Sequence, residues 1–178
     1  MRFSKWLLNL LGWKTDNVQF DVPKCVIALA PHTSNWDFVI GKLAYSSLGR
    51  KAYFLIKKEW FFFPFNLFFS SIGGISTNRS AHTSMTDKMA EEFRNRDRFQ
   101  LAITPEGTRK ANSEWKKGFY YIALKANVPI LLVGLDYKTK RALWLGLFNP
   151  TGDYDTDIIK IKSYFQGLQG KHPKQFAF

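Results

Sequence analysis

Cys25-Val26-Ile27-Ala28-Leu29-Ala30, followed by Pro31-His32-Thr33-Ser34-Asn35-Trp36-Asp37, decides how the rest of the chain is read. An apolar run with no polar face predicts a strand covered on both sides, as in a parallel sheet, and Pro31 closes it. A helix then starts near Ser34 and runs to about Leu48, stopping at Gly49. The same alternation continues downstream. Strands are predicted at Ala52 to Ile56, at the short segment after Gly73-Gly74, at Phe99 to Thr104, Val128 to Leu135 and Ala142 to Leu147. Helices are predicted from Thr83 or Ser84, where Ser84-Met85-Thr86-Asp87 resembles a capping box, at Trp115 to Ala126, and from about Thr156 to Leu168. Strands alternating with helices give one α/β domain with a mainly parallel central sheet flanked by helices.

The chain has 178 residues, enough for one well-buried core. Lys and Arg number 26 against 14 Asp and Glu, a formal charge of +12 that implies an anionic partner: nucleic acid, acidic lipid or a phosphorylated substrate. Aromatics make up 17%, with 17 Phe, more than a core of this size needs, so part of them is expected to face a membrane. A single cysteine, Cys25, excludes an internal disulfide and is expected in the core.

No stretch approaches the roughly eighteen apolar residues of a membrane-spanning helix, and Met1 to Lys14 makes a poor signal peptide. Phe3, Trp6, Leu7, Leu10 and Leu11 instead fall at helical spacing before Gly12, predicting a short amphipathic helix. It either lies in a membrane interface, anchored by Trp6 and Trp13, or packs on the protein's own core. Phe61 to Phe69, interrupted by Pro64, is either a hydrophobic lip or broken helix, or an ordinary core segment.

Two motifs carry the chemistry. Positions five apart on a helix lie about 140° from each other, so His32 and Asp37 meet only if His32 sits in the turn before the helix. That turn is at the carboxyl end of a strand, where open α/β sheets collect ligands. Asp37 could then fix the tautomer of a general base and stabilise its imidazolium. Alternatively, Ser34 to Asp37 is only a capping box. Thr104-Pro105-Glu106-Gly107-Thr108-Arg109 also follows a strand. Gly107 permits close backbone approach and Arg109 offers a planar fork of donors for phosphate, while Glu106 either holds that arginine or hydrogen-bonds a substrate hydroxyl. A surface turn with a local Glu-Arg pair is the alternative. Arg79 is a candidate second phosphate ligand.

Taken together, these residues resemble the glycerolipid acyltransferases typified by 1-acylglycerol-3-phosphate acyltransferase. Four blocks of that family appear in order: His32 to Asp37 (His-x4-Asp), Gly74 to Arg79, Pro105 to Arg109, and Val128-Pro129-Ile130, spanning about residues 25 to 135. Lys117-Gly118 with Ala123 resembles the family's helix start after the third block. Asn78 departs from the acidic residue that often precedes the block-two arginine, which leaves acceptor details open. The resemblance implies acyl transfer from a thioester, acyl-CoA or acyl carrier protein, to the free hydroxyl of a lysophospholipid. In it His32 is the base and Asp37 its orienter, with Glu106, Gly107, Thr108, Arg109 and Arg79 on the acceptor. Lys57 resembles a family lysine that steadies the oxyanion, with Lys58 adjacent. The expected division is residues 1–14 as membrane-interface helix and 15–178 as acyltransferase domain, held on the cytoplasmic side of the membrane as a peripheral or monotopic protein.

A thioester is already activated, so no metal or other cofactor is expected; an acyl intermediate on Ser34 is a minor alternative to its use as a helix cap. Two further readings compete. One is a non-catalytic module for nucleic acid or anionic lipid, which predicts basic residues interleaved with aromatics; the chain instead spreads its lysines and groups its Phe residues, so nucleic acid is not an expected partner. The other is a hydrolase using the same His-Asp pair to activate water.

Overall fold

The apolar run forms strand β2 (Lys24–Ala30), and it alternates between two buried faces. Val26, Ala28 and Ala30 point into the main core, whereas Cys25 and Ile27 point into the opposite layer. Both faces are apolar because both are covered, which is why the run lacks a polar period. Burial pushes the Cys25 thiol up to about 12, consistent with a small core residue.

The computed structural model describes residues 2–16, 21–77 and 84–177. The strands are β1 (Lys14–Thr15), β2, β3 (Tyr53–Lys57), β4 (Gly74–Thr77), β5 (Phe99–Ile103), β6 (Ile130–Asp136) and β7 (Arg141–Phe148). They form one sheet in the order β1-β7-β6-β2-β5-β3-β4. All neighbours are parallel except β6 and β7, which are antiparallel with a register shift at Leu132/Val133.

Helices α1 (Arg2–Leu10) and α2 (Asn35–Ser47) cover one face. Helices α4 (Met85–Asn95), α5 (Gly118–Ala126) and α6 (Tyr154–Ser163) cover the other through Met89, Phe93, Phe119, Tyr120 and Ile161; a short α3 (Phe65–Ser71) precedes β4. The main core stacks Phe93 edge-on against Phe99, with ring centres 4.7 Å apart.

Several boundaries differ from the sequence reading, each for a local reason. α5 begins at Gly118 rather than Trp115, because the Lys116 amide is taken by the Pro105 carbonyl at 2.7 Å. α6 begins at Tyr154 because Asp153 caps it, accepting from the Thr156 amide at 3.2 Å. It stops at Ser163, four residues before Gly167 at φ +81°.

The N-terminal helix packs on the protein's own core through one face and leaves an apolar face exposed. Leu8 is buried against α2, while Phe3, Trp6 and Leu10 are exposed. Trp13 is not an anchor: it is buried beside Leu8 and meets Tyr137 edge-on at 4.8 Å. Residues 61–69 are not a core segment. No residue of α3 is buried, and Phe62, Phe63, Phe65, Leu67 and Phe68 are all exposed, Phe63 at 77%.

Candidate functional site

Because β6, β2, β5 and β3 are adjacent and parallel, their carboxyl ends share one edge of the sheet. Tyr137 follows β6, His32 follows β2, Glu106 to Arg109 follow β5 and Lys57 ends β3. The order across the edge is therefore Tyr137, His32, Glu106 and Arg109, Lys57.

His32 lies in the turn ahead of α2. Its Nδ1 is 3.3 Å from Asp37 Oδ2, close enough for an ion pair though off the line of a formed hydrogen bond. Asp37 is fully buried and heavily supported: Oδ2 accepts from the backbone amides of Thr33 and Ser34, each at 2.7 Å, and Oδ1 accepts from the Tyr137 hydroxyl at 2.6 Å. Burial opposes its ionisation, but His32, Tyr137, Ser34 and Thr33 together outweigh burial and hold the carboxyl below its usual range. Ser34 caps α2 and Asp37 completes the capping box. One carboxylate thus serves both as cap and as partner of the imidazole, since its two oxygens accept several donors.

Glu106 is also fully buried. Its Oε1 accepts from the His32 backbone amide at 2.6 Å, and Oε2 finds no partner among the described residues. Burial pushes its carboxyl up to about 7; the His32 amide opposes this and the charge of Asp37 adds to it. Glu106 therefore does not pair with Arg109, and it stands behind the His32 turn rather than among the cavity-lining residues. Arg109 instead donates to Asn35 Oδ1 at the start of α2.

The turn between them requires glycine. Gly107 has φ +66°, and a Cβ there would fall 2.8 Å from Lys116 Cγ. Thr108 Oγ1 accepts from the Lys110 amide, tightening the same turn.

His32 lies where two cavities meet. An apolar one of about 350 Å³ runs between α2 and the sheet, lined by Leu29, Phe38, Gly41, Phe54, Ile103 and Trp144 among others. A more open one of about 890 Å³ carries Lys57, Gly107, Thr108, Arg109 and Lys110. Lys57 shares this second cavity with His32 and Arg109; Lys58, which opens a single 3-10 turn, does not line it. Arg79, the candidate second phosphate ligand, lies outside the described residues. Among those described, no group of three or more His, Cys, Asp or Glu side chains is placed to hold a metal ion.

Sequence reasoning missed Asn35, as partner of Arg109, and Tyr137. The signal for Tyr137 was positional: it directly follows a parallel strand at the ligand-collecting edge.

A family model described as Acyltransferase matches residues 15–135. The chain belongs to this acyltransferase family. Matched residues include β2, the His32 turn, the Glu106 to Arg109 turn and β6 up to Leu135, so the acyltransferase match spans the whole sheet edge described above except Tyr137. The crystal structure of the 1-acyl-sn-glycerophosphate acyltransferase PlsC from Thermotoga maritima has the same fold. The TM-score is 0.63, over 91% of this chain and 73% of that one, at 19% sequence identity. No curated protein sequence matches this acyltransferase.

Proposed function

We propose that this acyltransferase moves a fatty acyl group from acyl-CoA or acyl carrier protein to the free hydroxyl of a lysophospholipid, with 1-acylglycerol-3-phosphate as the acceptor and phosphatidate as the product. The observation that carries the reading is the position of His32 at the junction of an apolar cavity and a cationic one. A substrate pair that is part hydrocarbon and part phosphate divides between such cavities, and both volumes are in the range of ligand sites.

In this reading the acceptor phosphate meets Arg109 and Lys110, which line the second cavity. His32 Nε2 takes the proton of the acceptor hydroxyl, and the oxygen attacks the thioester carbonyl carbon. The developing oxyanion is offset by nearby cationic side chains, of which Lys57 is the candidate. Collapse breaks the C–S bond, and the imidazolium returns its proton to the leaving thiolate. Asp37 favours the imidazolium throughout, and a base so placed contributes roughly 10² to 10⁴ in rate. Gly107 and Thr108 shape the phosphate-facing turn.

The aromatic surface supports an interfacial site. α2 joins α1, through Ser4 Oγ and Ser46 Oγ at 2.9 Å, and the residue after α3, through Lys42 Nζ to the Ile72 carbonyl at 2.6 Å. Phe3, Trp6 and Leu10 of α1, Trp36 and Phe38 of α2, and Phe62, Phe63, Phe65 and Phe68 in and before α3 are all exposed. No described helix is long and apolar enough to cross a membrane. The exposed aromatics fit insertion into the cytoplasmic leaflet's interface, with basic residues adding about 1 kcal/mol each near acidic lipid.

The test is lipid mass spectrometry of purified protein given acyl-CoA or acyl carrier protein thioesters, with and without a panel of lysolipids. Phosphatidate formed only when lysophosphatidate is present supports the reading. Free fatty acid formed at the same rate with or without acceptor makes it a hydrolase.

A further inference from the structure

The segment after α6 lies beyond the family match, which ends at residue 135, yet it runs back across the sheet edge that carries His32. Leu168 seats on Gly134 of β6, where a Cβ would come 2.5 Å from its Cδ1. Gln169 accepts from the Tyr137 amide at 2.8 Å and donates its own amide to Asp136 Oδ1 at 3.2 Å. Gly170 lies against the His32 turn so closely that a Cβ would fall 2.7 Å from Thr33 Cγ2 and Oγ1. The His172 amide donates to Thr33 Oγ1 at 3.2 Å, and Phe176 packs on the main core.

Gln175 ends this strap, in the single 3-10 turn Pro173–Gln175. With its amide oriented to satisfy its neighbours, the nitrogen stands 2.8 Å from the Arg109 carbonyl and 3.1 Å from the Thr33 carbonyl. An amide NH2 carries two donors, one for each carbonyl. The side chain also lines the cationic cavity, beside Arg109.

We propose that Gln175 is a positioning residue that clasps the His32 turn to the Arg109 turn, and so fixes the spacing between the proposed base and the proposed phosphate ligand. The inference rests on the acyltransfer reading above. Glu106 joins the two turns at their base, through the His32 amide. The Arg109 side chain reaches Asn35 Oδ1 at the start of α2, and Gln175 holds the backbone of the same turn, at the Arg109 carbonyl. An acceptor bound at its phosphate and reacting at its hydroxyl is sensitive to that spacing, whereas a donor seated in the apolar cavity is not.

Gln175→Ala and Gln175→Glu separate this role from mere structure. Glutamate keeps the size but, when ionised, sets two acceptors against two carbonyl oxygens. Both variants should raise the KM for lysophosphatidate about tenfold, the scale of one to two net hydrogen bonds. The donor KM should stay at the wild-type value, and the melting temperature should fall by no more than a few degrees. Backbone hydrogen exchange at residues 107–110 should quicken in both variants, and Lys174→Ala, an exposed neighbour, should change neither readout. Unchanged exchange and unchanged acceptor KM overturn the clasp. So does a parallel shift of acceptor KM, donor KM and melting temperature, which is the mark of a general packing defect. Exchange needs no turnover, so a wild-type chain that transfers to no lysolipid overturns the activity reading while the clasp is still decided by exchange.

Discussion

Asp37 and Glu106 are both fully buried carboxylates, and both hold the turn that carries His32, yet their surroundings push them in opposite directions. Asp37 accepts two backbone amides and a tyrosine hydroxyl beside the imidazole, and is held ionised. Glu106 accepts one amide, leaves Oε2 without a partner among the described residues, and is pushed by burial up to about 7. Equal burial therefore gives a carboxyl held below its usual range where donors are plentiful and one pushed above it where they are scarce. The first suits a group that stabilises an imidazolium; the second suits a group that tethers a turn without adding a second fixed charge beside it.

The largest way to break this contrast is to empty the donor-rich side. Asp37→Ala strands the Thr33 and Ser34 amides and the Tyr137 hydroxyl, and should cost about 3–5 kcal/mol in urea unfolding. Asp37→Asn keeps the shape and should cut kcat on the order of 10² to 10⁴ if the charge stabilises an imidazolium.

Stability against pH sharpens the contrast, because the two signs differ. Asp37 is lowered, so its contribution is present above the ordinary carboxylate range and is lost as pH falls through it. Glu106 is raised from 4.5 to about 7, so its contribution is present below about 4.5 and is lost as pH rises through about 7. Glu106→Gln keeps an acceptor for the His32 amide and removes the titration. Wild type should lose stability relative to this variant between those limits, by at most on the order of 3 kcal/mol. Unfolding free energies measured across that window check it, and parallel curves would remove Glu106 as the titrating group.

Tyr137→Phe removes one of the Asp37 donors and should cost about 1–2 kcal/mol while raising the pH at which Asp37 titrates, read by carboxyl NMR. Ser34→Ala removes only the cap, and about 1 kcal/mol of thermal stability should go with it, leaving the acceptor KM in place.

Much of this was legible in the sequence, for reasons that name its reach. The run from Cys25 to Ala30 gave both the parallel sheet and its two covered faces, because apolar continuity reports burial directly. The spacing of His32 and Asp37 placed the histidine before the helix by geometry alone. Trp13, by contrast, continues the pattern of an amphipathic helix but lies past its end, and the chain folds it into the core. β1 is two residues long, too short to carry any period. The pairing of Glu106 with the His32 backbone amide was not legible, because it depends on the register of β2 against β5 rather than on any residue type. Gln175 and Tyr137 reach the site from beyond the matched region, through tertiary contacts that no local pattern announces.

The central claim is that His32, at the meeting point of the two cavities, is the base for acyl transfer. Its most direct test follows thiol release from acyl-CoA with lysophosphatidate present, in wild type and His32→Ala, alongside their circular dichroism. Acceptor-dependent release in wild type, lost by at least about a hundredfold in a folded His32→Ala, is the predicted result. Undiminished release from His32→Ala would contradict it.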